Sequence, residues 1–156
     1  MTLKALLQHF TSKWGLKELP LEKDGVARLV YDPSLILNFE PSLDNQGFFL
    51  YSSLGTVASQ EEKLFFQEAL TGNLFGSQTG KGCLGYLPSA HLLIYFAYYD
   101  LTFLAEAAFE EEVEQFCQYH FYWVEKLEQL RKQKPLYLED PMKGLQEKGK
   151  LKIFFA

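Results

Sequence analysis

The chain has 156 residues, of which 47% are hydrophobic, enough for a single domain to bury a core without disulfides or metal ions. The formal net charge is -5 and is unevenly spread: residues 1–130 carry 8 basic and 17 acidic side chains, whereas residues 131–156 carry 7 and 3. An acidic body repels nucleic acid and anionic membranes, which argues against both as partners.

The cysteine pattern and the N-terminal sequence indicate in which cellular compartment the protein works. Cys83 and Cys117 are far apart and form no C-x-x-C pair, a pattern typical of buried thiols in a reducing environment. The first residues lack the uninterrupted apolar run of a secretory signal, and nowhere do about 18 consecutive apolar residues predict a membrane span. We therefore expect a cytoplasmic protein.

The first half of the chain predicts one helix followed by three strands. Apolar residues recur at helical spacing from Leu3 to Trp14, and Gly15 follows as a typical helix stop. Turn-forming residues then separate three strand-like runs, at residues 25–31, 35–40 and 47–54. This pattern predicts an antiparallel meander.

Alternation along these strands predicts one core face and one face that is only partly polar. The core face would hold Ala27, Leu29, Tyr31, Leu35, Leu37 and Phe39. On the opposite face, apolar residues lie among Arg28, Asn38 and Glu40; they are Val26, Val30, Ile36, Phe49 and Tyr51. Because that face is not cleanly polar, we interpret it as a docking surface.

A second helix and two further strands follow. Ser59 and Glu62 form an S-x-x-E capping box that predicts the start of the helix. Strand-like runs occupy residues 83–87 and 91–99, and the second run is apolar on both faces. That run is therefore expected at the centre of a sheet or under another subunit.

A long amphipathic helix completes the predicted body. It begins within residues 102–109 and ends near Lys132, and its glutamates lie mostly outside the apolar stripe. That stripe would hold Phe109, Val113, Phe116, His120, Val124 and Leu127. The element order is α-β-β-β-α-β-β-α, an α+β fold with helices packed on an antiparallel sheet. We expect one domain over residues 1–132 and a basic C-terminal tail over residues 133–156.

The glycine-rich residues 76–85 match nucleotide-binding loops only superficially. Gly80, Gly82 and Gly85 fit G-x-G-x-x-G, but that fingerprint leaves a strand and opens a helix, whereas here a helix precedes and a strand follows. Around Lys81 a phosphate loop would need one more residue between the glycines and a hydroxyl after the lysine. We interpret the segment as a connector and predict no cofactor.

Candidate metal and catalytic residues are sparse. Cys117 and His120 share a face of the last helix and could supply half of a metal site, but no second pair of ligands is visible. A packed helix face explains them, so we predict no metal. No G-x-S-x-G or H-E-x-x-H motif occurs, and we expect no enzyme.

The order of features from the second helix onward has a counterpart in a known family. Matching positions, with those near the N-terminus, are Phe10, Gly15-Leu16, Asp24-Gly25, Ala69-Leu70, Asn73-Leu74, Gly80, Gly82, Leu84, Leu92 to Tyr95, Phe116 and Trp123. In these positions, over residues 3–130, the chain resembles the class I type III secretion chaperones, the Tir-chaperone-like family. These motifs are patterns of size and polarity rather than catalytic signatures.

The resemblance implies a virulence-associated homodimer without cofactor. It would bind the N-terminal segment of one or more secreted effectors in extended form and deliver them to the secretion apparatus. The predicted effector-binding track comprises Leu6, Phe10, Val30, Ile36 and Phe49. The predicted dimer contact comprises Leu70, Leu74, Phe75, Leu84 and Tyr86. Ordinary core packing is the alternative role for each of these residues.

Two other functions and the role of the tail stay open. The chain could be a regulatory or scaffold adaptor of the apparatus without cargo, or a small phosphate-binding domain or enzyme using residues 76–85. The tail departs from the family pattern, and its end, LKIFFA, could add a strand, occupy the partner groove or remain mobile.

Overall fold

A computed structural model describes residues 2–133 of the chain. Its elements are α1 (Leu3–Lys13), β1 (Ala27–Asp32), β2 (Leu35–Pro41), β3 (Gly47–Thr56), α2 (Glu62–Asn73), β4 (Cys83–Leu87), β5 (Leu92–Asp100) and α3 (Glu106–Lys132), with short 3-10 turns at Leu74–Gly76 and Pro88–Ala90. The predicted element order and α+β class are confirmed. The predicted tail lies outside the described residues, apart from Gln133.

The five strands form one antiparallel sheet in the order β1-β2-β3-β5-β4. The first three strands make the predicted meander, and β5 then pairs with β3, so that β4 is carried to the far side. Consequently β1 and β4 are the two edges of the sheet. β5 therefore lies inside the sheet, between β3 and β4, which agrees with the first of its two predicted positions.

All three helices pack on one face of this sheet, here called the inner face. Phe39 and Phe48 from the strands meet Phe109 of α3, and Phe10 of α1 packs edge-on against the same ring at 5.3 Å between centroids. Helix α2 covers the β4 side, where Phe66 packs on Tyr86. The opposite face, here called the outer face, carries no helix of the described residues.

The end of α1 follows the glycine signal. Gly15 adopts a left-handed φ of 62°, which glycine reaches without strain. This lets the Gly15 N–H donate to Ser12 O and the Leu16 N–H donate to Thr11 O, satisfying two carbonyls that the helix leaves free. The turn also sends Leu16 back toward the body of the protein.

The start of α2 differs from the prediction. The helix begins at Glu62, and no capping bond from Ser59 forms. Instead, a Glu61 carboxylate oxygen accepts from the Ala58 N–H at 3.0 Å, and the other oxygen pairs with Arg131 of α3. The predicted capping box was therefore wrong, because a tertiary ion pair sets the local geometry rather than the serine hydroxyl.

Candidate protein-binding surfaces

A groove of about 230 Å³ opens between α1, β1 and α3, here called the α1–β1 groove. Its apolar walls come from the end of α1, from β1 and from α3, and its lining is Phe10, Trp14, Leu16, Leu29, Val30, Tyr31, Glu110, Val113 and Glu114. Next to it, the register of β1 with β2 is irregular between Val30 and Asp32. At this end of β1 three consecutive residues therefore line one groove, instead of alternating between faces.

The main chain of β1 is open along this groove. Its pairing partner is β2 on one side, and from Ala27 to Tyr31 no other hydrogen bond to the β1 backbone occurs among residues 2–133. An edge strand of this kind presents free N–H and C=O groups that a second chain can pair with. The groove and the free edge therefore lie side by side, which is the arrangement that an extended peptide needs.

The structure brings only part of the predicted effector track to this groove. Phe10 and Val30 line it, and Val30 is 66% exposed. Leu6 is 0% exposed, so its side chain lies in the core of the free subunit, and its predicted contact with an effector stays a prediction. On an amphipathic helix, the residues that reach deepest cannot be told by spacing alone from those at the groove rim.

Ile36 and Phe49 lie outside the groove, on the outer face. Ile36 lines a separate polar-edged groove of about 470 Å³ with Arg28 and Ser53. Phe49 packs against Tyr98 of β5 with ring centroids 5.2 Å apart. Both residues are exposed. Ile36 pairs directly with Val30 across β1 and β2 and so lies beside the groove, whereas Phe49 pairs with Glu40 near the other end of β2.

A second apolar surface lies on α2 and the turn that follows it. Leu70, Leu74 and Phe75 project outward, and the Phe75 side chain is 98% exposed. Phe75 also holds a left-handed φ of 54°, which is uncommon for an aromatic residue. Three large apolar side chains held outward at one place are what an interface requires and what an isolated surface avoids.

Leu84 and Tyr86, the other two predicted dimer residues, face inward. Leu84 is buried, and Tyr86 packs on Phe66 and bonds Glu62 through its hydroxyl at 3.2 Å. Their side chains pack between β4 and α2 in the subunit, and the predicted role of Leu84 in a dimer contact stays a prediction. Strand alternation placed the two residues on one face but could not tell which face the helices cover.

Asn73 closes the β4 edge at the same position. Its amide Nδ2 donates to Leu84 O at 3.0 Å, and its Oδ1 accepts from the Leu84 N–H at 2.7 Å. These two bonds occupy the main-chain groups that a further strand would use. The two edges of the sheet therefore differ: β4 is capped by a side chain at Leu84, whereas β1 is open.

Several of these residues were not predicted to have a role in binding. Trp14, Leu16, Tyr31 and Glu114 line the groove, and Asn73 caps the edge. A helix-stop glycine followed by leucine was a usable signal for Leu16, since such a turn folds the next residue back. The positions of Tyr31 and Glu114 depend on how α3 crosses β1, for which the sequence carries no local signal.

Aromatic rings occupy the space next to two glycines of the connector between α2 and β4. A Cβ on Gly80 would lie 2.6 Å from the Tyr119 ring, and one on Gly82 would lie 2.5 Å from the Tyr95 ring. Tyr95 in turn donates to Thr79 O at 2.8 Å, and Lys81 pairs with Glu112. The glycines thus make room for packed tyrosines.

Cys117 and His120 lie in the core, as their helix-face interpretation predicted. Ser52 Oγ lies 2.8 Å from His120 Nδ1, and burial lowers the pKa of His120 to about 4. Burial, with a smaller contribution from Glu114, raises the pKa of the Cys117 thiol to about 12. Within residues 2–133, no three His, Cys, Asp or Glu side chains are placed to hold a metal ion together.

The same part of the chain has no helix that combines the length and apolarity needed to cross a membrane.

A sequence profile of the Tir chaperone protein (CesT) family matches residues 5–124. The chain belongs to this family. The match spans α1 through most of α3 and so includes the α1–β1 groove, the β1 edge and the exposed surface of α2. The family resemblance seen in the sequence is thereby confirmed. Among curated proteins, none matches this chain closely enough to count as a relative.

Solved structures share the fold at low sequence identity. The chain is similar to a structure of the HopA1-SchA chaperone-effector complex, with a TM-score of 0.64 and 16% identity, covering 78% of this chain and 92% of that one. It is similar to the ExsC-ExsE complex, with a TM-score of 0.64, 19% identity and coverage of 80% and 96%. It is also similar to the ExoU-SpcU complex from the type III secretion system of Pseudomonas aeruginosa, with a TM-score of 0.61, 20% identity and coverage of 79% and 95%.

Proposed function

We propose that this protein is a type III secretion chaperone of the bacterial cytoplasm. It binds the N-terminal segment of one or more effectors in extended form and delivers them to the secretion apparatus, without catalysis. The observation that carries the proposal is the open β1 edge beside the apolar α1–β1 groove in a chain of the CesT family. Complexes of similarly folded chains with effectors support it.

The contacts favour strand addition at β1. An incoming segment would satisfy its main-chain groups on the free β1 edge and place alternate side chains over Phe10, Leu29 and Val113. Ordering such a segment costs about 1–2 kcal/mol per residue in backbone entropy. A short groove alone cannot offset this cost over many residues, so a long cargo segment must continue onto other apolar surfaces, such as the outer face at Phe49 and Tyr98.

We also propose that the protein acts as a homodimer joined through Leu70, Leu74 and Phe75. The exposure of these three side chains supports this contact. Because Asn73 occupies the β4 edge at Leu84, the contact uses side chains of α2 and its following turn rather than pairing of the two β4 strands. Both β1 edges then stay available, so one dimer offers two grooves.

Affinity purification from the native bacterium tests the chaperone function. Tagged wild-type protein should recover a secreted protein, and Val30→Asp should reduce that recovery about ten-fold, because an unpaired carboxylate in an apolar contact costs more than ~1 kcal/mol. Leu43→Asp is the matched control, since Leu43 is fully exposed in the β2–β3 turn and lines neither groove. Recovery of apparatus components alone, with no secreted protein, would contradict the proposal and favour the adaptor function.

A further inference from the structure

The α1–β1 groove is apolar on its α1 and β1 sides but carries two carboxylates on its α3 side. Glu110 and Glu114 are one helical turn apart on α3, and both line the groove. Lys13 of α1 forms an ion pair with Glu110. Glu114 is exposed and takes part in no salt bridge within residues 2–133. In the described part of the chain, the groove rim therefore keeps one carboxylate without a paired cation.

The Glu114 carboxylate acts on the groove side of α3. Its negative charge is among the causes that raise the pKa of Tyr31, after Cys117 and burial, and Tyr31 forms part of the opposite wall. Among residues 2–133, the charged side chains that line the groove are Glu110 and Glu114 from α3, with Lys13 joining from α1 through its ion pair, and β1 contributes none. These described side chains therefore leave the groove with a net negative charge.

The side chains of a segment bound in the groove interact electrostatically with this negative charge. An acidic side chain over Glu114 would be repelled, and a neutral one would leave the carboxylate partly desolvated without a partner. A lysine or arginine would form a charge-assisted hydrogen bond there while its aliphatic stem packs on the apolar wall. Only a lysine or arginine therefore offsets the free energy that is lost when Glu114 is removed from water.

We infer that the α1–β1 groove selects extended segments in which a lysine or arginine lies between apolar side chains, with Glu114 accepting from the cation. This inference rests on the proposed effector-binding function and adds a rule for which segment is bound. It makes Glu114 a specificity-determining residue. The remaining groove side chains supply contact that does not depend on the charge of the cargo.

Three synthetic peptides test the inference without knowledge of the effector. Each has twelve residues, with Ile, Leu or Val at every second position and Thr or Ser between them, and a central polar position holds Lys, Gln or Glu. Trp14 lines the groove and is 55% exposed, whereas the other tryptophan, Trp123, is fully buried. Tryptophan emission of the full-length protein therefore reports on binding at this groove.

The Lys peptide should bind about five-fold more tightly than the Gln peptide, and the Glu peptide should bind most weakly. Glu114→Gln should remove most of the preference for Lys, and so should 0.5 M salt, because screening weakens a half-exposed pair. Glu125→Gln, the matched control, removes the same charge about 16 Å further along α3 and should keep the preference.

Equal binding of the Lys and Gln peptides would overturn the inference. The groove would then still bind extended segments, but without selecting for a cation. Equal loss of preference in Glu125→Gln would also overturn it, since general attraction to an acidic protein would then be the cause. If no peptide changes the tryptophan emission, the inference fails. The chaperone function is then judged separately by recovery of a secreted protein.

Discussion

Among single residues, His120, in contact with Ser52, makes the stability of the protein depend on pH. Both side chains are buried on the inner face, and the imidazole is held neutral because burial lowers its pKa to about 4. The unfolded chain should titrate this histidine near its ordinary pKa of about 6.5. Between these two values the unfolded state binds more protons than the folded one, so stability must fall as the pH is lowered.

We therefore expect the free energy of unfolding to drop by about 2 kcal/mol between pH 7 and pH 5 from this residue alone. Urea titrations at a fixed protein concentration, at both pH values, measure the drop. His120→Gln should keep the hydrogen bond to Ser52 and lose most of the pH dependence. A wild-type protein whose stability is unchanged over this range would contradict the neutral buried imidazole.

For individual side chains, the sequence predicts burial better than it predicts contact with a partner. The spacing of Phe109, Val113 and Phe116 predicted a buried stripe, and all three are buried. Leu6 and Leu84 were expected at interfaces and lie inside. The spacing of apolar residues identifies one face of a helix or strand. What covers that face depends on packing with elements that are distant in the sequence.

At the level of elements, the two sheet edges are treated differently. β1 is open beside a groove, whereas Asn73, at the C-terminal end of α2, fills the hydrogen-bonding positions of β4 at Leu84. The sequence predicted strands at both edges within two residues of their observed bounds. It did not predict which strand would be an edge, because strand order is set by long-range pairing rather than by local composition.

Replacing Asn73 by alanine tests the cap. The Leu84 N–H and C=O would lose their partners, and we expect a loss of about 1–2 kcal/mol in the free energy of unfolding. The freed edge should also increase self-association at high concentration, which light scattering measures. Thr71→Ala is the control, because the Thr71 hydroxyl bonds only within α2 at an exposed site. Equal effects of the two substitutions would contradict a specific role for Asn73.

At the level of the whole molecule, a two-layer body leaves one sheet face and the α2 surface without partners in the described chain. Membership of the family suggests that these surfaces bind an effector or a second subunit. The structure of a single subunit shows which surfaces are exposed and apolar enough to do so. The sequence could indicate excess apolar surface, since 16% of its residues are aromatic. It could not divide that surface between cargo and a second subunit, because both require exposed apolar side chains.

Sedimentation equilibrium tests the proposed dimer. Wild-type protein at micromolar concentration should show twice the subunit mass of 18.0 kDa. Leu74→Asp combined with Phe75→Asp should give the monomer mass, since two carboxylates would be buried without partners in the interface. Both positions are exposed in the subunit, so folding should be retained. Leu43→Asp should remain dimeric, and a monomeric wild type would be fatal to the dimer proposal.

Hydrogen exchange on the purified complex with its cargo tests whether the cargo adds a strand to the β1 edge. Because the β1 edge is open in the free subunit, its outward amides should exchange rapidly there and slow markedly once a cargo segment pairs with them. We expect binding to slow exchange across Ala27–Asp32 and to leave exchange across Cys83–Leu87 unchanged. Slowed exchange in Cys83–Leu87 with none in Ala27–Asp32 would contradict cargo addition at the β1 edge.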